Sequence, residues 1–122
     1  MYSISVKLDF SAAHRLRNYK GKCESLHGHN WRVEAIVNGK TLNSSGMLID
    51  FHDLRDELLS VITLLDHKDL NETKMFESEN PTAENIARWI FDEMSSRLKA
   101  ENVIISEIRV WESEHSCAVY SG

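Results

Sequence analysis

The chain has 122 residues, with 19 acidic and 14 basic side chains, and its formal net charge of −5 argues against a nucleic-acid-binding surface. No apolar run approaches the roughly 20 residues needed to span a bilayer, and the N-terminus shows no signal-peptide pattern, so we expect a cytoplasmic protein without membrane contact. Two cysteines are too few for a disulfide framework, and the length suits a single domain over residues 1–122 with free thiols.

The first predicted element is a strand from Ser3 to His14. Apolar residues occupy its even positions and mostly polar residues its odd positions, which is the pattern of a half-buried antiparallel strand. His14 closes the apolar face. A histidine in such a position is commonly a hydrogen-bonded core residue, and it becomes a candidate metal ligand if other ligands lie on the neighbouring strand.

The second predicted strand begins in the segment Cys23-Glu24-Ser25-Leu26-His27-Gly28-His29 and continues through Val37. Because successive side chains of a strand point to opposite faces, His27 and His29 leave the same face. Together with His14 they predict three imidazole ligands for a metal ion. Three neutral imidazoles with no fourth protein ligand are typical of a catalytic zinc site that keeps one position for water or substrate. In the alternative interpretation, His27 and His29 only shape a turn.

The connection between these strands is a loop from Arg15 to Lys22 that contains four basic residues. Its cations would suit an anionic substrate group such as a phosphate, but a solvated loop is equally compatible with this composition. After the second strand, Asn38-Gly39 is predicted to form a turn.

The first predicted helix begins after Asp50, a typical N-cap residue, and its apolar face ends near Leu65. Asp66 and His67 follow directly. A carboxylate beside an imidazole can fix the tautomer and raise the basicity of the ring, but an ordinary surface loop is also compatible with this pair.

The second predicted helix runs from the Thr82 cap to about Lys99, and two further strands follow it. The first of these strands spans Val103 to Glu112, and its even positions form the predicted inner face. The last strand spans Ser116 to Tyr120, where Cys117 is interpreted as a small buried hydrophobic residue.

Glu112 ends the inner face of its strand, where a carboxylate costs desolvation unless it is paired. It is either a solvated strand end or an acceptor for paired N–H donors of a ligand. The order of elements predicts an α+β domain, ββααββ, with a four-stranded antiparallel sheet and two helices on one face. Two open sheet edges favour oligomerisation.

Several segments together resemble the 6-pyruvoyl-tetrahydropterin synthase family, and within it the bacterial and archaeal 6-carboxy-5,6,7,8-tetrahydropterin synthases of the queuosine pathway. The segments are Cys23-x3-His27-Gly28-His29 with the upstream His14, Gly46-Met47-Leu48-Ile49-Asp50-Phe51, Leu65-Asp66-His67-x2-Leu70-Asn71, Asn80-Pro81-Thr82-x-Glu84-Asn85 and Trp111-Glu112-Ser113. The three-residue gap between Cys23 and His27 is typical of the carboxytetrahydropterin synthases, whereas the animal pyruvoyl enzymes have a wider gap. Trp31 departs from the family pattern, where a smaller aromatic residue is frequent.

The resemblance implies a tunnelling fold (T-fold), in which the sheets of several subunits join into a barrel, commonly a homohexamer of two trimers. It also implies a zinc ion and the conversion of 7,8-dihydroneopterin triphosphate into 6-carboxy-5,6,7,8-tetrahydropterin, with release of acetaldehyde and triphosphate. The implied zinc ligands are His14, His27 and His29. The implied general acid/base is Cys23, the implied relay is Asp66 with His67 from a neighbouring subunit, and the implied pterin anchor is Glu112.

Two alternatives remain at the level of the sequence. The first is the sibling reaction, in which triphosphate elimination and internal redox give 6-pyruvoyl-tetrahydropterin with the same residues. The second is a non-catalytic protein that binds zinc or a pterin. Retention of Cys23 together with Asp66 and His67 argues against the second alternative, because binding alone requires none of them.

Overall fold

The computed structural model describes all 122 residues, and its helices and sheet share one hydrophobic core. The strands are β1 (Tyr2–His14), β2 (His27–Gly39), β3 (Lys68–Asp69), β4 (Ile104–Ser113) and β5 (Ser116–Tyr120). The helices are α1 (Phe51–Ile62) and α2 (Ala83–Arg97), and two short 3-10 turns lie at Leu70–Glu72 and Lys74–Phe76. No helix combines the length and the apolar character needed to cross a membrane.

The sheet has five strands in the order β3-β1-β2-β4-β5. The four long strands are antiparallel to their neighbours, as predicted, and β3 pairs in parallel with Ala12 and Ala13 of β1. The predicted α+β fold is confirmed, but the predicted count of four strands is one too low. A two-residue strand is too short to produce any alternation in the sequence, and it exists only because β1 passes beside it.

Both helices cover the same face of the sheet, which buries the even positions of β1 and the odd positions of β2. The predicted N-caps are confirmed, because the Asp50 side chain accepts the His52 N–H at 2.8 Å and the Thr82 hydroxyl accepts the Asn85 N–H at 3.1 Å. Helices α1 and α2 end slightly before the predicted points, at Ile62 and Arg97.

Strand β2 continues through Asn38 and Gly39, so the predicted turn at these residues is wrong. Pairing with β1 extends the strand, and glycine is needed at its end. A Cβ atom on Gly39 would lie 2.4 Å from the Asn102 carbonyl oxygen and 2.4 Å from a methyl carbon of Leu48.

Strand β4 contains a bulge that changes which residues face the core. Ile104 is 66% exposed and Ile105 is buried, because the register with β2 shifts between Ile36 and Val37. The predicted even face is therefore wrong at Ile104 and right at Ile108 and Val110.

Both thiols are free, as predicted, but Cys117 is exposed rather than buried. Cys117 pairs with Trp111, which lies opposite the exposed Arg32 of β2, on the sheet face that the helices leave uncovered. Partial desolvation still raises the pKa of the Cys117 thiol above its usual value.

Candidate metal centre and surrounding cleft

Three histidine rings meet at the end of the β1–β2 pair, on the face that the helices cover. His14 lies directly opposite His27, and Ala12 lies opposite His29. Because the side chains of β1 and β2 alternate in step, the three rings become neighbours, with centroid distances of 4.7, 4.9 and 5.1 Å. One ring nitrogen of each histidine lies within 4.8 Å of the other two.

Two backbone carbonyl groups set the tautomers of His14 and His27. The Nδ1 atom of His14 lies 2.7 Å from the carbonyl oxygen of Pro81, and Nδ1 of His27 lies 2.9 Å from that of Ser25. A carbonyl oxygen only accepts, so each Nδ1 carries the proton and donates it. The Nε2 lone pair of each ring is then free to bind a metal ion, as in most histidine metal sites.

His29 carries a buried ring nitrogen without a hydrogen-bond partner. Its Nε2 atom lies 3.4 Å from Oε1 of Glu112 but makes no hydrogen bond. Burial lowers the pKa of His29 below its usual value, although the Glu112 carboxylate opposes this effect. A histidine that binds a metal ion must be neutral and must have a ring nitrogen free of hydrogen bonds, and His29 meets both conditions. The three histidines therefore fit a metal ion.

Glu112 lies at the rim of a cleft beside the three histidines, which we call the histidine cleft. It follows Trp111, which is paired with Arg32, and alternation turns its side chain toward the histidines. Its Oε2 atom lies 3.9 Å from Nε2 of His14, and the side chain is partly exposed. The cleft is completed by Leu16, Glu24 and the first turn of α2. A carboxylate in this position can accept hydrogen bonds from a ligand that enters beside the metal ion.

Trp31 supports two of the three rings, a role that the sequence analysis missed. It is fully buried, its ring centroid lies 5.0 Å from that of His14 and 5.2 Å from that of His29, and its Nε1–H donates to the Ala12 carbonyl oxygen at 3.2 Å. The alternation of β2 could have predicted this role, because it places residues 27, 29 and 31 on one face of the strand.

We expect Trp31→Phe to lower both the stability and the metal affinity of the protein. Loss of the indole N–H and of buried volume should cost about 2 kcal/mol in the free energy of unfolding. Histidine rings that are held less firmly should weaken the binding of a metal ion by about tenfold, the lower end of the effects seen for supporting residues around metal ligands. Urea unfolding and zinc titration would measure these effects. Trp89→Phe, which alters an indole against Phe76 instead, should leave zinc affinity unchanged.

Asp66 and His67 contact each other but lie outside the histidine cleft. Oδ1 of Asp66 lies 2.9 Å from Nδ1 of His67 and accepts the Ser11 N–H at 2.9 Å, and this backbone bond holds the pKa of Asp66 below its usual value. His67 has a left-handed backbone, with φ of 59°, and its side chain is 81% exposed. His67 lines an open concavity together with His29 and Lys68.

Cys23 is exposed in the loop that precedes β2, and it does not line the histidine cleft. Within that loop the guanidinium of Arg17 donates to the carbonyl oxygens of Glu79 and Asn71, both at 3.0 Å. The Arg17 guanidinium therefore already forms hydrogen bonds within the protein, whereas Arg15, Lys20 and Lys22 are exposed. One chain alone brings together the three histidines and Glu112, but not Cys23 or the Asp66–His67 pair.

A sequence profile described as 6-pyruvoyl tetrahydropterin synthase matches residues 3–122. The chain is 34% identical to the 6-carboxy-5,6,7,8-tetrahydropterin synthase of Haemophilus influenzae, over 98% of this chain and 99% of that protein. It is 36% identical to the 6-pyruvoyl tetrahydrobiopterin synthase of Poecilia reticulata, over 93% and 85% of the two chains. A dihydroneopterin monophosphate aldolase of Pyrococcus furiosus is 33% identical, over 89% and 88%.

The fold is also similar to that of a solved structure. The 6-pyruvoyl tetrahydropterin synthase of Caenorhabditis elegans superimposes with a TM-score of 0.87 at 25% identity, over 99% of this chain and 95% of that one. The tunnelling fold expected from the sequence is therefore confirmed.

Proposed function

The chain belongs to the 6-pyruvoyl tetrahydropterin synthase family, and from that premise we propose that it is a zinc-dependent 6-carboxy-5,6,7,8-tetrahydropterin synthase. The substrate is 7,8-dihydroneopterin triphosphate, and the products are the 6-carboxy pterin, acetaldehyde and triphosphate. The observation that carries the proposal is the convergence of three imidazoles with free nitrogens beside the Glu112 carboxylate. The three-residue gap between Cys23 and His27 favours the carboxy product over the pyruvoyl product.

The proposed reaction balances without an external oxidant. The pterin ring gains two hydrogens as it goes from the dihydro to the tetrahydro level, while the side-chain carbon that remains on the ring is oxidised to a carboxylate. The bond to the other two side-chain carbons breaks, and these leave as acetaldehyde. Triphosphate leaves by elimination with its ester oxygen, so the terminal side-chain carbon ends as the methyl group of acetaldehyde. One water molecule is consumed when the carbon–carbon bond breaks, and it supplies the second oxygen of the carboxylate.

The three histidines would hold zinc through their Nε2 atoms, because Pro81 and Ser25 occupy the Nδ1 atoms of His14 and His27. Zinc in this position supplies a Lewis acid that polarises the side-chain oxygens of the substrate and acidifies the adjacent C–H bonds. Zinc is favoured over harder cations because the ligand set is entirely imidazole.

Three further residues move protons in the proposed reaction. Cys23, as a thiolate, accepts the proton from the side-chain carbon of the substrate and returns it to the pterin ring. Asp66 fixes the ring orientation of His67 through the 2.9 Å contact, so that the other ring nitrogen, Nε2, can relay a proton. Glu112 accepts two N–H bonds from the guanidine-like edge of the pterin and orients the ring beside the metal ligands.

A product assay tests this function directly. Zinc-loaded protein is incubated with 7,8-dihydroneopterin triphosphate, and acetaldehyde and the pterin product are identified by mass spectrometry. Acetaldehyde with the 6-carboxy pterin supports the proposal. Triphosphate release with a pyruvoyl product would instead establish the sibling activity. A relative named for the pyruvoyl product and a relative named for the carboxy product are almost equally identical to this chain, at 36% and 34%. If fully metallated protein shows no turnover, the remaining interpretation is a non-catalytic protein that binds zinc or a pterin.

We expect Glu112→Gln to weaken binding of a pterin product by about 10- to 100-fold without loss of zinc. The neutral amide keeps the shape of the side chain but replaces one acceptor oxygen with an N–H donor. That donor would face an N–H group of the pterin, so one of the two charge-assisted hydrogen bonds is lost. Titration calorimetry with zinc-loaded protein measures the affinity. Glu114→Gln, two residues further along the chain, should bind as wild type does. An unchanged affinity of the Glu112 variant would remove this residue from the pterin site.

We expect His67→Gly to reduce turnover by about 100-fold or more while stabilising the protein by about 0.5–1 kcal/mol. The variant loses the relay imidazole, and glycine adopts the left-handed conformation of residue 67 without steric cost. Steady-state kinetics and urea unfolding measure the two effects. Asn102→Gly, at another exposed position with positive φ, should leave turnover unchanged. Full activity of the His67 variant would exclude the relay.

We further propose that the active unit is a cytoplasmic homohexamer, arranged as a dimer of trimers, in which the Asp66–His67 pair of one subunit serves the zinc site of another. The separation of this pair from the histidine cleft within one chain supports the proposal. So does the outer edge of β5, which has no strand partner. Mixing inactive Cys23→Ala and His67→Ala proteins under conditions that exchange subunits should restore part of the activity. Complete inactivity of the mixture, despite proven exchange, would contradict shared sites.

A further inference from the structure

Beyond His14, the end of β1, residues 15–17 lie outside the sheet. On one side, the Glu24 N–H donates to the Leu16 carbonyl oxygen at 2.9 Å, and the Leu16 N–H donates to the Glu24 carboxylate at 3.1 Å. On the opposite side, Arg15 and Arg17 form hydrogen bonds with side chains. This alternation between two sides is the hydrogen-bonding pattern of a β-strand.

Two asparagine side chains replace the missing strand. Oδ1 of Asn71 accepts the Arg15 N–H at 2.8 Å, and its Nδ2 donates to the Arg15 carbonyl oxygen at 3.0 Å. Asn80 makes the same two bonds with Arg17, at 2.8 and 3.2 Å. Each side-chain amide thus presents an acceptor and a donor, as a strand residue would. We call Asn71 and Asn80 the amide clamp.

The amide clamp is connected to each part of the proposed site. Glu24, which Leu16 holds in place, directly follows Cys23 in the chain. Asn80 directly precedes Pro81, whose carbonyl oxygen accepts from the His14 ring. Asn71 is buried and follows β3, the strand that comes directly after the Asp66–His67 pair.

We propose that Asn71 and Asn80 are positioning residues that hold the loop of residues 15–24, and with it the Cys23 thiol, in a reactive position. The inference rests on the proposed function, since it takes Cys23 as the group that moves the proton. The loop carries an exposed thiol and none of its residues is buried, so we infer that hydrogen bonds rather than core packing order it. A displacement of about 1 Å at a reacting group can cost about 100-fold in rate.

The test compares Asn71→Ala and Asn80→Ala with wild type in the full-length, zinc-loaded assembly. Hydrogen exchange of the residue 15–24 amides reports the clamp without reference to activity, and we expect their protection to fall by at least about tenfold. Turnover should fall by about 10- to 100-fold with KM changed by less than about threefold, because the thiol is misplaced while substrate contacts remain. Zinc content of the Asn71 variant should match that of wild type.

Asn43→Ala is the matched control. The Asn43 side chain also accepts two backbone N–H groups, from Ser45 at 2.9 Å and Met47 at 3.1 Å, but in a loop between β2 and α1 that is remote from the cleft. It should lose local protection there and keep full turnover. Asn80→Ala provides a second, less buried clamp variant if Asn71→Ala does not fold.

Two results would overturn the inference. Unchanged protection of residues 15–24 in the alanine variants would show that the clamp does not order the loop. Lost protection with wild-type turnover would show that the order of the loop does not matter for the reaction. The proposed role of Cys23 has its own test, because an active Cys23→Ala variant would contradict it. The hydrogen-exchange result for the loop could still be interpreted in that case.

Discussion

Cys23→Ala is expected to abolish turnover, by about 10³-fold or more, while the zinc content stays near that of wild type. The thiolate is the proposed proton acceptor, and alanine cannot replace it. The metal should remain because the three histidines make their contacts without Cys23, which is exposed in the loop before β2. The substitution removes an exposed side chain, so stability should change by less than about 0.5 kcal/mol.

Metal analysis and steady-state kinetics on the same preparation measure the two quantities. Cys117→Ser is the control, because Cys117 is also an exposed free thiol but lies on β5. It should retain both zinc and activity. A parallel loss of zinc and turnover in Cys23→Ala would mean that Cys23 is a metal ligand, and its assignment as general acid/base would be wrong.

His29→Ala is expected to weaken zinc binding by about 10³-fold or more and to remove activity with it. The variant loses one of three imidazole ligands, and two neutral ligands do not hold zinc tightly. It also leaves Glu112 without the ring nitrogen 3.4 Å away. Because the orphaned Nε2 atom of His29 disappears with the side chain, the protein without metal should not be strongly destabilised.

Competition with a chelator measures the zinc affinity of His29→Ala, and urea unfolding in excess chelator measures the stability without metal. His52→Ala, which removes an exposed histidine from α1, is the matched control and should bind zinc as wild type does. Wild-type zinc affinity in His29→Ala would show that the three rings are only an aromatic cluster.

The convergence of the three histidine rings was predictable because it depends on strand alternation alone. One apolar stripe ending in His14 and one ending in His27 and His29 place all three rings on a single face once the strands pair. The same reasoning applies to Glu112, which is in step with the buried Val110. The roles of all these residues in binding and catalysis stay predictions, and the single chain does not join Cys23, Asp66 or His67 to the cleft.

The errors fall where hydrogen bonds between distant segments override local pattern. Asn38-Gly39 has the composition of a turn, yet it stays in β2 because β1 pairs along its whole length. Ile104 alternates with the core positions but is exposed, because a bulge opposite β2 changes the register. Cys117 has the chemistry of a buried residue, but pairing with β4 places it on the sheet face that the helices leave uncovered.

Local pattern was sufficient for the long strands, the two capped helices and the shared face of the three histidines, since periodicity and capping act over a few residues. Long-range contacts were required for the rest: the His14 tautomer set by the carbonyl group of Pro81, the support of the His14 ring by Trp31, and the amide clamp between Asn71, Asn80 and the loop. A hydrogen bond between residues 56 or 67 positions apart leaves no periodic trace in either segment, and it exists only after the chain has folded.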